Sequence, residues 1–414
     1  MLHQSERLPA RCQRRKPHKD RRGQEDPAMN AKARTPPARS TRIAGRKVER
    51  PKLPGQVVLV LQGGGALGAY QAGVYQALSE AGIEPDWVIG TSIGAVNGAI
   101  IAGSVASERL QRLKAFWRAV SHGGWPRFTG SWSRLESVLQ GVPGFFHPNP
   151  AAWLYPDIEL GEEAAGYYRA DALRKTLGGL VDTQQLSTGT MRLTLGAVNV
   201  RSGQVRYFDS RDEPITLDHV LASGALPPAF APVRIGEELY WDGGIASNTP
   251  IEAVFDDRQR HDARIFAVQV WNPHGEAPTT MRQVFARHKD IQFASRADSH
   301  VMRPKQLHMM RHIIRQLAQC MSPAQRARKD VAEMLDYGCG TTMRIVKLLS
   351  PALAGDDHTK DLDFTPEGIE ARWQAGHADT QRALLAEPWL KPVDPIEGVA
   401  VYDVSLLQPQ SAAA

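Results

Sequence analysis

Two hydrophobic rhythms alternate through the first well-patterned stretch of the chain. Residues 56–61, Gln-Val-Val-Leu-Val-Leu, form an unbroken apolar run of strand length, as expected for a strand covered on both faces. Gly63, Gly64 and Gly65 break it. Residues 68–81 then take up helical spacing, with Tyr70, Val74, Tyr75 and Leu78 on one side and Gly82 at the end. Residues 87–89 repeat the strand pattern, and a helix follows from Ile93 to about Gly103. A third helix over 107–120 carries Leu110, Leu113, Phe116, Trp117 and Val120. Strand-helix alternation with short glycine turns predicts an α/β fold of three layers, a mostly parallel central sheet with helices on both faces.

Between 121 and 156 the pattern dissolves into glycine, proline and seven aromatics: Trp125, Phe128, Trp132, Phe145, Phe146, Trp153 and Tyr155. Two readings stay open, the wall or lid of an apolar pocket and an irregular insertion packed on the core. Periodicity returns with a helix over 171–180, a hairpin over 191–208, a helix over 217–223 and a hairpin over 233–241 that delivers Asp242 at its end. Residues 263–270 form a last apolar strand. Beyond Asn272 the chain turns helical and basic, with no clear strand pattern before Pro392. These shifts divide it into a leader (1–53), an α/β domain (54–275) and a mainly helical C-terminal extension (276–414). There are no internal repeats.

Composition narrows the class. With 414 residues and 42% hydrophobic content the chain can bury a full core. Cys12, Cys320 and Cys339 lack metal-ligand or disulfide spacing, so neither a metal nor a cystine framework is expected. The net charge of +6 is uneven: through Lys52 there are 16 Lys/Arg against 5 Asp/Glu, which leaves the remainder acidic. The leader lacks a periodic apolar face and is expected to be disordered, read as a solvated tail ahead of a weak tether to anionic lipid or nucleic acid, and Met29 offers a second start. No apolar h-region marks a signal peptide. The apolar window 87–106 holds glycines, Thr91, Ser92, Asn97 and Ser104, too polar for a membrane span.

The chemistry lies in three short motifs. Gly90-Thr91-Ser92-Ile93-Gly94, between a strand and a helix, has the Gly-x-Ser-x-Gly layout of a nucleophile elbow. Upstream, Gly63-Gly64-Gly65-Ala66-Leu67-Gly68 also satisfies a dinucleotide fingerprint, but no acidic residue ends the second strand to hold a ribose. The same loop can instead present bare N–H groups to an oxyanion. Downstream, Asp242-Gly243-Gly244 is either a plain hairpin turn or a carboxylate with backbone passing close beside it. As a base for Ser92 its pKa would have to rise from about 4 through burial, or its hydrogen bond to shorten. His219, His122 and His147 are available as a third partner, though no spacing argument favours any of them.

In this order and at these separations, the three motifs resemble the patatin-like phospholipase family over about residues 54–275. The resemblance implies Ser92 as nucleophile and Asp242 as the group that activates it, a dyad rather than a triad. It further implies an oxyanion hole from Gly63, Gly64, Gly65 and Ile93, with Gly68, Gly90, Gly94, Gly243 and Gly244 in support. Asn248 and Pro250 match the usual continuation. Leu67 stands where members commonly carry Arg or Lys, which bears on head-group preference. The long extension is similar to a bacterial subset with an uncharacterised extra domain.

The resulting expectation is a serine acyl hydrolase for carboxylic esters of lipids, needing no cofactor or metal. Alternatives are an esterase for another aliphatic ester such as an intracellular polyester, a non-catalytic lipid-binding scaffold and, last, a dinucleotide-binding protein. The expected partner is a lipid or other acyl ester, without specific nucleic-acid binding. The expected location is the cytoplasm, with peripheral contact at the inner face of the membrane. Residues 302–315 can form an amphipathic helix suited to such contact, or equally to docking on the core.

Overall fold

The computed structural model describes residues 55–122, 140–294 and 297–406, the side chains of 297–301 excepted. The leader, Met29 and the aromatics Trp125, Phe128 and Trp132 lie outside the described residues. Among those described, the strands are β1 (Gln56–Leu61), β2 (Trp87–Gly90), β3 (His147–Pro148), β4 (Tyr168–Arg169), β5 (Arg192–Asn199), β6 (Val205–Asp209), β7 (Val233–Ile235), β8 (Glu238–Asp242), β9 (Ala263–Gln269), β10 (Met343–Leu349) and β11 (Val399–Asp403). β3 and β4 pair apart from the rest. The others form one sheet in the order β11-β10-β9-β1-β2-β5-β8-β7, with β6 on β5.

β1 sits centrally, parallel to β2 and β9, and its apolar run is explained by cover on both faces. Val57, Leu59 and Leu61 join a core with helices α1 (Ala69–Glu80), α2 (Ile93–Ala102) and α3 (Arg109–Ala119). Val58 and Val60 point the other way, into a smaller core with Ile265, Phe255 and Ile345. The three-layer, mostly parallel expectation holds.

β5 is the ruler of the site. Its first half pairs parallel with β2, Leu195 facing Gly90, and along the same edge its second half pairs antiparallel with β8, Ala197 facing Asp242. β6 occupies the opposite edge. The end of β2 and the end of β8 therefore run toward each other and stop on either side of Gly196. The residues that follow Gly90 meet Asp242 at that gap.

The extension is mainly helical, as expected, but it also lengthens the sheet. β10 pairs parallel with β9 and β11 parallel with β10. The strand Met343–Leu349 falls where no strand pattern was read, because Arg344 and Lys347 interrupt its apolar run. The helix Pro366–Ala386 crosses α1 at backbone distance. A Cβ on Gly73 would lie 1.9 Å from the carbonyl oxygen of Trp373, and one on Gly376 would lie 2.0 Å from that of Tyr70. Tyr70 Oη donates to Asp379 Oδ2 at 2.8 Å across the same crossing.

Candidate active site

Ser92 lies at the turn from β2 into α2 with φ 57° and ψ −123°. Among the described residues, Glu387 is the other non-glycine with positive φ. Such a conformation is strained for a side-chain-bearing residue and persists where its surroundings over-determine it. Two contacts do so here. A Cβ on Gly90 would lie 2.3 Å from Gly94 O, and one on Gly94 would lie 2.2 Å from Leu61 O, so neither position admits a side chain. The Ser92 N–H donates to both the carbonyl and hydroxyl oxygens of Ser223, whose hydroxyl donates to Gly196 O at 2.6 Å.

Asp242 ends β8 and is 1% exposed. Its carboxylate accepts a hydrogen bond from the Gly244 N–H at 2.7 Å, and the Ser92 hydroxyl beside it favours the ionised form. Burial pushes its pKa up to about 7, and the Ser92 hydroxyl and the Gly244 N–H hold it from rising further. Gly243 lets the turn close on β5, since a Cβ there would sit 2.5 Å from Gly196 O. The hydroxyl and carboxylate proposed from sequence are thus brought together.

The glycine loop faces the same place. The carbonyl oxygen of Gly63 accepts from Trp271 Nε1 at 2.8 Å and from Asn248 Nδ2 at 3.2 Å. A planar trans peptide then turns the Gly64 N–H the opposite way. Among the described residues no acceptor takes the N–H groups of Gly64, Gly65 or Ile93, and all three residues line one cavity with Ser92. Gly63 differs from the expectation, because its N–H donates to Asn248 O at 3.1 Å. That bond fixes the loop and leaves Gly63 a structural part. Gly68 admits the side chain of Ile93, which a Cβ would meet at 2.5 Å.

Several supporting residues escaped the sequence reading. Gln62 is fully buried; its Oε1 accepts from the N–H groups of Val270 and Trp271, and its Nε2 donates to Thr249 Oγ1 at 2.7 Å. Ser223 and Trp271 act on the elbow and the loop as described. A signal existed for Gln62 and Trp271: both stand just past the carboxyl end of a buried parallel strand, where loops of such sheets converge.

The cavity above Ser92 measures about 670 Å³. Its wall is largely apolar, with Phe145, Phe146, Leu221 and Phe230 from the main domain and Leu362 and Phe364 from the extension. Of the described aromatics in that stretch, Phe145 and Phe146 are pocket wall, whereas Trp153 and Tyr155 do not line the cavity. Of its cations, Arg169 pairs with Asp171 at 2.9 Å, Arg234 with Glu162 and Glu163 at 2.8 and 2.5 Å, and Arg174 with Asp218. Leu67 is 2% exposed and packs in the core. Among the described residues no histidine lines the cavity. His219 instead caps its own helix through Thr216 and lies against Phe208, while His122 and His147 stand outside the cavity lining.

Residues 59–255 match the family model described as patatin-like phospholipase, and residues 291–396 match a second one described as patatin phospholipase. The chain belongs to the patatin-like phospholipase family. Among relatives, patatin-like phospholipase domain-containing protein 6 of Mus musculus is 44% identical over 205 residues, 47% of this chain and 12% of the relative. Lysophospholipase nte1 of Aspergillus terreus is 63% identical over 70 residues, 15% of this chain and 5% of the relative. An uncharacterized NTE family protein of Mycobacterium tuberculosis is 27% identical over 232 residues, 53% and 30% of the two chains. The chain thus spans a minor part of each of these relatives. The crystal structure of VipD from Legionella pneumophila aligns with a TM-score of 0.33 at 17% identity, over 80% of this chain and 67% of that one. Within this chain the second matched segment is not remote from the first, because Phe293, Leu362 and Phe364 reach the cavity that holds Ser92.

Proposed function

We propose that the chain is a serine acyl hydrolase that cleaves carboxylic esters of lipids. The observation that carries this reading is the placement of the Ser92 hydroxyl and the buried Asp242 carboxylate in the lining of one largely apolar cavity. Ser92 Oγ adds to the ester carbonyl while Asp242 accepts its proton. The N–H groups of Gly64, Gly65 and Ile93 stabilise the oxyanion, a contribution of about 3–4 kcal/mol per donor in comparable sites. Collapse expels the alcohol with the proton from Asp242 and leaves an acyl-serine. Asp242 then takes a proton from water as it attacks the acyl carbonyl, and returns that proton to Ser92 Oγ as the acid leaves. A raised pKa suits both proton transfers, because it narrows the mismatch between carboxylate and hydroxyl.

Labelling with a fluorophosphonate probe tests the nucleophile. The full chain should be labelled and the Ser92→Ala variant should not; labelling of that variant, or none of the parent, removes the assignment. A second reading, an esterase for another aliphatic ester, is favoured by one observation: each arginine lining the cavity already holds a carboxylate, and Leu67 offers no cation for a phosphate. Turnover of phosphatidylcholine, a short-chain ester and an aliphatic polyester ranks the two.

A further inference from the structure

The helix Met281–Ala294 lies beside the catalytic loop and has two unlike sides. One is bound to the site. The Phe293 ring lines the cavity with its centroid 5.0 Å from that of Trp271, its carbonyl oxygen accepts from Asn248 Nδ2 at 3.1 Å, and Ala294 is buried. The other side carries Met281, Val284, Phe285 and Ile291, exposed by 66, 39, 55 and 47%. At 3.6 residues per turn these four fall within an arc of about 120° that faces away from Phe293 and Ala294. The ring of Phe285 lies beside that of His358, with centroids 6.2 Å apart.

Charge says what covers this stripe. Residues 281–317 hold 8 Lys/Arg against 2 Asp/Glu, whereas the rest of the chain beyond residue 52 holds 26 against 37. The next helix, Ala297–Cys320, repeats the design, exposing Met302, Leu307, Met310 and Leu317 with Arg303 among them. Outward apolar stripes on a basic segment, set in a part of the chain beyond residue 52 that is otherwise acidic, match an interfacial helix on anionic lipid. Among the described residues no helix is long and apolar enough to cross a membrane. We propose that the outer stripe of Met281–Ala294 docks the protein on an anionic bilayer surface, beside the cavity that takes its acyl substrate. This deepens the acyl-hydrolase reading and is tested apart from it.

Vesicle flotation of the full chain decides the matter, with phosphatidylcholine vesicles prepared with and without phosphatidylglycerol. The chain should float with the anionic vesicles, and part of it should stay bound at about 1 M salt, where a screening length of about 3 Å releases the basic leader. Phe285→Ser and Ile291→Ser should each lower the salt-resistant fraction about tenfold, the effect of removing one apolar side chain from lipid. Both should hydrolyse a short-chain ester in solution at the parent rate, and Ser92→Ala should float like the parent. The proposal is overturned if the parent does not float, if Phe285→Ser floats as well as the parent, or if binding is lost only on changing the exposed Trp153 and Leu154. A failed hydrolase reading would instead show in the ester assay with flotation intact.

Discussion

The indole Nε1 of Trp271 donates to the carbonyl oxygen of Gly63 at 2.8 Å, and this bond orients the next amide in the chain. Because the peptide is rigid, holding its oxygen on one side holds the Gly64 N–H on the cavity side. Trp271→Phe keeps the packing against Phe293 but removes the donor, leaving Asn248 Nδ2 as the remaining anchor. The expected result is a 10- to 100-fold fall in kcat, roughly the loss of part of one oxyanion donor. KM should barely move, since the amide matters most when charge develops on the ester oxygen. An equal change in KM would show that Trp271 serves binding rather than loop orientation.

Asp242 links rate and stability to pH with opposite signs. Its folded pKa of about 7 lies above the ordinary 3.8, so the folded protein resists ionising it. Stability is therefore undiminished below pH 3.8, declines as pH rises toward 7, and carries the full penalty above that. In the proposed mechanism activity follows the reverse course, because only the carboxylate would accept the Ser92 proton; kcat/KM should fall tenfold per pH unit well below 7. Asp242→Asn should lower turnover by about 10²–10⁴. The same change should stabilise the fold above pH 7 by up to about 4 kcal/mol, and the gain should vanish in acid. Melting curves of the two proteins across this range check the sign.

The crossing of α1 with the helix Pro366–Ala386 admits no side chain at its centre. Ala at either Gly73 or Gly376 places a methyl within about 2 Å of a carbonyl oxygen on the facing helix. Backbone, unlike a flexible side chain, cannot step aside without separating the helices. Gly73→Ala and Gly376→Ala should each cost about 1–3 kcal/mol, read as a lowered Tm. Gly82→Ala, with open space at its Cβ but a φ of +71°, offers a contrast in which strain acts alone.

What was legible in the sequence was local. The elbow at Ser92, the loop at Gly63–Gly65 and the turn at Asp242 announce themselves because close backbone approach demands glycine at fixed offsets. The convergence of the elbow and the glycine loop followed from one topological rule about parallel sheets, whereas the turn at Asp242 arrives on an antiparallel strand outside that rule. What was not legible depends on contacts between distant segments. The position of Trp271 past the end of β9 places it among the converging loops, but its bond to Gly63, 208 positions away, has no local mark. β10 was hidden because Arg344 and Lys347 break its apolar run. That the extension walls the cavity could not be read either, since Leu362 and Phe364 lie in a short irregular segment without period.

That segment is held by a reciprocal pair of charges, and the pairing makes a last prediction. Lys289 and Asp290 are neighbours on one helix, and Lys360 and Asp361 are neighbours in the segment. Lys289 meets Asp361 at 2.6 Å and Lys360 meets Asp290 at 2.6 Å. The second pair is the more buried, with side chains 11 and 17% exposed, so breaking it leaves a cation poorly solvated. Asp290→Asn should destabilise the protein by about 1–3 kcal/mol and raise KM for a long-chain ester, because Leu362 and Phe364 follow directly in the cavity wall. Exchanging the charges, Asp290→Lys with Lys360→Asp, should recover at least half of both losses. A double-mutant cycle measures that coupling, and a value near zero would mean the wall is held by apolar packing alone.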